Sequence, residues 1–163
     1  VKLLSTLGYQ VAAVTGRAEN TDWLRELGAT RILSREEMLA PNRPLDKQHW
    51  AGAVDTVGSH VLAKVLSQMN YHGTVAACGL AGGFDLPTTV MPFILRGVKL
   101  LGVDSVSCPF EQRQQAWHLL ATHLPKDYFS AACQTVTLAQ VPEHAEKLIA
   151  GQVTGRLLVN LKA

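Results

Sequence analysis

The segment Thr15-Gly16-Arg17 combines three residue types that suit a phosphate group. Thr15 offers a hydroxyl, Gly16 lets the backbone approach a ligand closely, and Arg17 supplies a guanidinium that pairs with phosphate in a bidentate manner. The segment contains no carboxylate, and Arg31 further along the chain is placed to reach the same anion. We therefore expect a phosphate site here. The alternative is that both arginines are ordinary solvated charges.

A second segment that permits close approach of a ligand to the backbone is the glycine-rich stretch CGLAGG, residues 78–83. Cys78 is expected to be a core thiol rather than a nucleophile, because no His or Asp stands near it in sequence. Asp55 either lines the ligand site or caps the helix that Ser59 begins. The sequence leaves these two roles of Asp55 open.

The histidines and cysteines show no metal-site spacing. No two of the six histidines lie four residues apart, no HExxH motif occurs, and His118 and His123 point to different faces of their predicted helix. The three cysteines match no zinc or CxxC pattern. We expect no metal site. The odd cysteine count argues against a disulfide framework and favours a reducing, cytoplasmic location.

Short apolar strands alternate with helical segments from residue 1 to about residue 105. The strands are predicted at residues 9–14, 31–33, 52–57, 73–78 and 98–103. This α/β alternation predicts a Rossmann-like, doubly wound parallel sheet with helices on both faces and right-handed crossovers.

Ligands bind such a sheet at the carboxyl ends of its strands. In a dinucleotide fold the end of the second strand meets the adenosine ribose, and an acidic residue there holds the 2′-hydroxyl of NAD. This chain instead presents Thr15-Gly16-Arg17 and Arg31. The positive charge predicts NADPH, in preference to NADH, as the cofactor.

The pattern changes after Ser105. Helices are predicted at 109–123 and 142–150, with Trp117 in the core, and strands at 134–138 and 155–161. A segment of this size forms only a small core. We therefore expect residues 1–105 to form the nucleotide-binding domain, and residues 106–163 to pack against it or against another domain.

Composition excludes several classes of protein. The 163 residues, 47% apolar and 17% charged, fit one domain or one domain plus part of another, and they exclude general disorder. A charge of +2, from scattered basic residues, argues against nucleic acid as a partner. No apolar run approaches the roughly 20 residues that span a bilayer, so no membrane partner is expected.

Five stretches carry a resemblance to a known family. They are LGYQVAAVTGR, LRELGATRIL, WAGAVDTVG, the block from AKVLSQMNYHGTVAACGLAGG to LLGVDS, and GRLLV. The chain resembles the acrylyl-CoA reductase (AcuI/YhdH) family, in the zinc-free quinone oxidoreductase branch of the medium-chain dehydrogenase/reductase superfamily. The stretches cover essentially the whole chain, and the block from CGLAGG to LGVDS is highly specific.

The resemblance implies a zinc-independent, NADPH-dependent enzyme that transfers a hydride to the activated C=C bond of an α,β-unsaturated acyl-CoA or to a quinone. Family positions around the adenosine 2′-phosphate correspond to Thr15, Gly16, Arg17 and Arg31. Positions near the nicotinamide correspond to Leu80, Ile94 and Ser105. Relatives are commonly homodimers through the edge strand, here residues 98–103, whose apolar edge favours pairing with a second copy. The charged Lys99 in this strand argues mildly against such pairing.

The family's glycine-rich loop and GroES-like catalytic domain would lie upstream of Val1. The segment VKLLSTL has helical spacing without a preceding cap, so we expect position 1 to fall inside a helix that begins earlier; a frayed natural terminus is the alternative. On this basis the chain matches the C-terminal half of such an enzyme, residues 106–163 return to the catalytic domain, and no catalytic residue is assigned. The alternatives are a truncated nucleotide-binding module without catalysis and an α/β scaffold without a ligand.

Overall fold

The strands of the protein form three parallel sheets in a computed structural model that describes residues 1–162. The first sheet pairs β1 (Val11–Thr15) with β2 (Ala29–Ser34). The second consists of β3 (Trp50–Asp55), β4 (Met69–Ala77) and β5 (Lys99–Gly102), in that order. The third pairs β6 (Cys133–Thr137) with β7 (Arg156–Asn160).

Helices connect these strands throughout the described chain. They are α1 (Lys2–Thr6), α2 (Thr21–Glu26), α3 (Arg35–Leu39), α4 (Ser59–Ser67), α5 (Met91–Arg96), α6 (Phe110–His123), α7 (Tyr128–Ala132) and α8 (Val141–Ile149), with 3-10 turns at Ala18–Asn20 and Leu138–Gln140. None of the helices within residues 1–162 has the length and apolar character needed to cross a bilayer.

The alternating parallel strands and helices confirm the predicted α/β, Rossmann-like fold. The five strands expected before residue 105 are all present, although β4 begins four residues earlier than the apolar pattern indicates. The strands do not form one continuous ladder in the described residues, because β1–β2 and β3–β4–β5 are separate sheets. Their carboxyl ends nevertheless carry the segments that the sequence analysis identified.

One core serves both sheets. Leu66 of α4, Met69 and Val75 are fully buried, and Leu33 of β2 and Met38 of α3 belong to the same cluster. The helices α3 and α4 pack side by side over it. The burial of these apolar side chains, each stabilising by about 1.5–3 kcal/mol, holds the two sheets under one helical layer.

The strand register shows which side of the second sheet faces this layer. Ala53, Val75 and Leu100 lie side by side across β3, β4 and β5 and pack against the core. The neighbouring row contains Val54 and Leu101, which are 66% and 53% exposed. Because side chains alternate along a strand, the two rows face opposite sides of the sheet. Within residues 1–162 the second side is therefore largely open.

The segment after residue 105 contains both predicted helices and both predicted strands, and in addition α7. Its core is small, with Ala132 and Val136 as its buried apolar residues. The prediction that Trp117 lies in the core is wrong, since this side chain is 66% exposed. The reason is that α6 buries none of its side chains among the described residues.

Candidate functional site

The carboxyl ends of β1 and β2 lie side by side. The parallel register pairs Thr15 with Ser34, so the next residues along, Gly16 and Arg35, follow at the same edge of the sheet. The Thr15 Oγ1 accepts a hydrogen bond from the Arg17 N–H at 3.1 Å and donates one to the Arg17 carbonyl at 3.2 Å. The Thr15 hydroxyl therefore shapes the turn that carries Gly16 and Arg17.

The Arg17 guanidinium is engaged by the loop between α8 and β7. Its Nη1 donates to the Gly151 carbonyl at 2.7 Å and its Nη2 to the Val153 carbonyl at 3.1 Å. In the amide orientation that satisfies both of its polar atoms, buried Asn20 accepts from Arg17 Nε at 3.0 Å and donates to Thr154 Oγ1 at 3.1 Å. Arg17 thus joins the end of β1 to the C-terminal segment.

Arg31 does not lie beside Arg17. Its register partner is Ala12, three residues before the end of β1. Its guanidinium forms an exposed ion pair with Glu37 at 3.4 Å and lies 5.7 Å from the centre of the Trp50 ring. The structure therefore directs Arg31 towards α3 and β3 rather than to the edge that holds Thr15 and Gly16.

The structure brings a different arginine to this edge. A Cβ added to Gly16 would lie 2.7 Å from the Cζ of Arg35 and 2.8 Å from its Nε and Nη2. Arg35 is the first residue of α3, which begins directly after β2 because the Ser34 hydroxyl accepts a hydrogen bond from the Glu37 N–H at 3.0 Å. The sequence analysis missed Arg35. Its position in the chain could have revealed it. Arg35 directly follows a strand that runs parallel to β1, and β1 ends at Thr15.

Asp55 holds the turn between β3 and α4. Its buried carboxylate accepts a hydrogen bond from the Gly58 N–H at 2.9 Å, and its carbonyl accepts one from the Cys78 N–H at 2.8 Å. Of the two roles left open by the sequence, the geometry therefore favours capping of this turn. Gly58, not Ser59, occupies the N-cap position, and Ser59 has a left-handed φ of 47° and no side-chain cap.

The loops that follow β3 and β4 pack against each other at glycines. A Cβ on Gly58 would lie 2.5 Å from the Gly83 carbonyl oxygen, and one on Gly79 would lie 2.5 Å from the Thr56 carbonyl oxygen. No larger residue fits these positions without a backbone shift. The predicted core location of Cys78 is wrong: it is exposed, because this loop leaves the sheet, and its thiol donates to the Asp55 carbonyl at 3.2 Å.

The three residues predicted near the nicotinamide follow the second sheet. Leu80 and Ser105 each lie three residues beyond the register pair Ala77–Gly102, and Ile94 lies on α5. The side chains of Leu80 and Ile94 are 66% and 71% exposed, which leaves their apolar surface available to a ligand. Their role in nucleotide binding stays a prediction.

The Ser105 loop is held from both sides. The Ser105 carbonyl accepts a hydrogen bond from Arg113 Nη2 at 2.8 Å. Asp104 Oδ1 accepts hydrogen bonds from the Val106 and Ser107 N–H groups, each at 3.0 Å, and these backbone donors lower the pKa of Asp104. The loop therefore keeps its shape through a charged carboxylate.

Comparison with known proteins gives this geometry a context. The zinc-binding dehydrogenase family model matches residues 1–122. The chain is 58% identical over 161 residues to "Probable acrylyl-CoA reductase AcuI" of Escherichia coli (strain K12), and 42% identical over 163 residues to "Putative quinone oxidoreductase YhfP" of Bacillus subtilis (strain 168). Each match covers 99% of this chain and 49% of the relative. The chain thus spans about half the length of the curated relatives it matches.

Solved structures show the same relationship. The yhdH oxidoreductase from Salmonella enterica in complex with NADP matches with a TM-score of 0.96 and 60% identity, over 99% of this chain and 49% of that one. Bacillus subtilis yhfP with NAD bound matches with a TM-score of 0.92 and 41% identity, over 98% and 49%. The predicted resemblance to acrylyl-CoA reductases is confirmed.

The family description names zinc, and a zinc site needs several His, Cys, Asp or Glu ligands close together. Within residues 1–162 no three His, Cys, Asp or Glu side chains come together as a metal site would require. The side chains of the described residues therefore do not fit a zinc ion. Because the family model covers more than half of the sequence, the chain belongs to the zinc-binding dehydrogenase family.

Proposed function

We propose that this chain forms the NADPH-binding part of an oxidoreductase that reduces the activated C=C bond of an α,β-unsaturated acyl-CoA, such as acrylyl-CoA, or a quinone. The observation that carries this proposal is the 58% identity over 161 residues to a probable acrylyl-CoA reductase. The 0.96 TM-score to an NADP complex supports NADPH as the cofactor, and the match to a putative quinone oxidoreductase supports the second substrate class.

In this proposal the active site lies between a nucleotide-binding domain and a catalytic domain. Residues 1–105 are assigned to the nucleotide-binding domain, and residues 106–163 are assigned to a segment that returns to a GroES-like catalytic domain. The exposed apolar side chains of Leu138, Leu148 and Ile149 in the C-terminal segment support the second assignment, since exposed apolar patches mark contact surfaces.

The residues at the sheet edge would hold the two ends of the nucleotide. Thr15, Gly16 and Arg17 at the edge of the first sheet are assigned to the adenosine half, and Leu80, Ile94 and Ser105 to the nicotinamide half. Arg31 is assigned to the adenosine half as well, which requires its side chain to turn from Glu37 towards this edge when the nucleotide binds. Bound NADPH would supply the hydride for the β-carbon of the substrate. The exposed apolar side chains of Leu80 and Ile94 would orient a flat ring and exclude water from it. In this proposal the reaction is zinc-independent.

The test is the near-ultraviolet absorbance of NADPH in the intact protein, with acrylyl-CoA as the substrate. NADPH is expected to be consumed with acrylyl-CoA or a quinone, and not with propionyl-CoA, which lacks the C=C bond. A metal chelator is expected to leave the rate unchanged. Absence of NADPH oxidation with every enoyl-CoA and quinone would contradict the reductase assignment.

The second candidate is a nucleotide-binding module without catalysis of its own. It is favoured for this chain alone by the finding that the chain spans about half of each curated relative. Isothermal titration of the intact protein with NADPH, followed by the same acrylyl-CoA assay, separates the two. Binding heat with turnover supports the reductase, and binding heat without turnover supports the module.

A homodimer through the edge strand is part of the same proposal. β5 is the outer strand of its sheet, and Leu101 and Val103 beside its edge are exposed. Leu101→Lys is expected to convert a dimer to a monomer in light scattering, with Val54→Lys, on the same open side but in β3, as the control. A monomeric wild-type protein would contradict it.

A cytoplasmic location, supported by the odd number of thiols, is proposed as well.

A further inference from the structure

The loop that carries Ser105 begins where β5 leaves its sheet. The Val103 N–H donates to the Ala77 carbonyl at 2.9 Å, one residue beyond the last register pair of β4 and β5. Residues 103–107 are all exposed, and the Val106 side chain is 89% accessible. The next element, α6, buries none of its side chains among the described residues. Apolar burial therefore contributes little to the position of this loop, and hydrogen bonds must fix it.

Two side chains make these hydrogen bonds, and their effects on the loop differ. The Asp104 carboxylate accepts from the Val106 and Ser107 N–H groups, each at 3.0 Å, so it shapes the turn from within. Arg113 lies outside the turn, near the start of α6, and its Nη2 donates to the Ser105 carbonyl at 2.8 Å. Asp104 thus sets the shape of the loop, and Arg113 sets its position relative to α6.

Arg113 is itself held in place by the helix that carries it. Its N–H donates to the Pro109 carbonyl at 3.0 Å, so its backbone belongs to the first hydrogen-bonded turn of α6. Its guanidinium is a charged donor, and a charged donor binds a carbonyl more strongly than a neutral one does. The hydrogen bond to Ser105 therefore joins the exposed loop to a regular element.

We propose that Arg113 is a positioning residue for hydride transfer, and that its hydrogen bond to the Ser105 carbonyl holds the Ser105 loop at the nicotinamide end of the cofactor. This inference rests on the proposed function, in which Ser105 belongs to the nicotinamide half of the site. Arg113 acts through the Ser105 loop. Because hydride transfer requires a close and aligned approach, a displacement of about 1 Å at this end can lower the rate by about a hundredfold.

The first test measures NADPH oxidation by the intact protein with acrylyl-CoA. Arg113→Ala is expected to lower kcat by about tenfold and to change the KM for NADPH much less, since the adenosine half is held elsewhere. Arg113→Lys is expected to recover part of kcat, because one hydrogen bond to a carbonyl needs a charged donor but not a bidentate one. Gln112→Ala is the matched control with wild-type kcat, since Gln112 is also exposed near the start of α6.

The second test separates the two ends of the nucleotide without using the reaction rate. Adenosine 2′,5′-bisphosphate carries the adenosine half of NADPH without the nicotinamide, and Arg113→Ala is expected to bind it as tightly as the wild type in isothermal titration. The fluorescence anisotropy of bound NADPH reports how firmly the nicotinamide is held. This anisotropy is expected to fall in Arg113→Ala and to keep its wild-type value in Gln112→Ala.

The outcomes separate this inference from the proposed function. If Arg113→Ala keeps the wild-type kcat and anisotropy, or if it weakens adenosine 2′,5′-bisphosphate as strongly as NADPH, the positioning role is overturned and the reductase assignment stands. If the wild-type protein does not oxidise NADPH with any enoyl-CoA or quinone, the proposed function and this inference fall together. A fall in kcat and in anisotropy, with unchanged binding of the adenosine ligand, supports the inference.

Discussion

Arg17 Nη1 donates a 2.7 Å hydrogen bond to the carbonyl oxygen of Gly151, which lies 134 residues further along the chain. The same side chain donates to Val153, and Asn20 bridges Arg17 to Thr154. The turn after β1 is therefore tied to the C-terminal segment by polar contacts. A movement of this turn, at the proposed nucleotide edge, would therefore change its hydrogen bonds to the C-terminal segment.

Replacement of Arg17 by Ala is expected to lower the free energy of unfolding by about 1 kcal/mol, because two carbonyls exchange a charged donor for water. Urea denaturation measures the change. Arg25→Ala is the control, since an exposed ion pair three residues apart on a helix contributes only about 0.2–0.5 kcal/mol. Equal free energies of unfolding for the wild type and the Arg17 variant would show that the hydrogen bond to Gly151 does not stabilise the protein.

Replacement of Gly58 by Ala is expected to cost more than about 2 kcal/mol. The new Cβ would lie 2.5 Å from the Gly83 carbonyl oxygen, and the φ of 74° disfavours any side chain. Gly8→Ala is the comparison variant: its φ of 86° also disfavours a side chain, but an added Cβ there meets no atom within 4 Å. Thermal unfolding of both variants compares the loss with and without the contact to Gly83. Identical losses would contradict close packing of the two loops.

Replacement of Arg96 by Leu is expected to destabilise the protein by about 3 kcal/mol. Arg96 donates to the carbonyls of Ser67 at 2.8 Å and Met69 at 3.1 Å, at the α4–β4 junction, and to that of Asp46 at 2.6 Å, in the loop before β3. Its loss removes a charged donor from all three carbonyls. Arg43→Leu, at an exposed loop position, is the control. Urea denaturation measures the free energy of unfolding of the two variants. A difference between them below about 0.5 kcal/mol would argue against stabilisation by the Arg96 hydrogen bonds.

Acidification is expected to loosen the Ser105 loop through Asp104. The Val106 and Ser107 N–H groups lower the pKa of Asp104 in the folded state below its ordinary value. The carboxylate therefore stabilises the loop fully above about pH 4, and this contribution is lost as the pH falls through the lowered pKa. The hydrogen-exchange protection factors of the two amides, which correct for the slower intrinsic exchange at low pH, are expected to fall on acidification. In Asp104→Asn these protection factors are expected to be lower and independent of this titration. Parallel pH profiles would contradict the assignment.

Local patterns were sufficient to predict the strands and most helices. Apolar runs bounded by glycine predicted β1 to β5, and the helical period predicted α4, α6 and α8, because both signals depend on residues close together in the chain. The family strings predicted the relationship to acrylyl-CoA reductases. The loop after β4 was also correctly placed, since a glycine-rich turn after an apolar strand is a local feature.

The tertiary structure decided which side chains meet at the edge of the first sheet. Thr15, Gly16 and Arg17 share one turn, as the sequence indicates, but Arg35 rather than Arg31 lies beside it because strand register places residues 16 and 35 together. Neither that register nor the partner of Arg17 134 residues away can be read from a local pattern. The types of residue and the order of elements are local properties of the chain, whereas the direction and partners of each guanidinium depend on packing between distant segments.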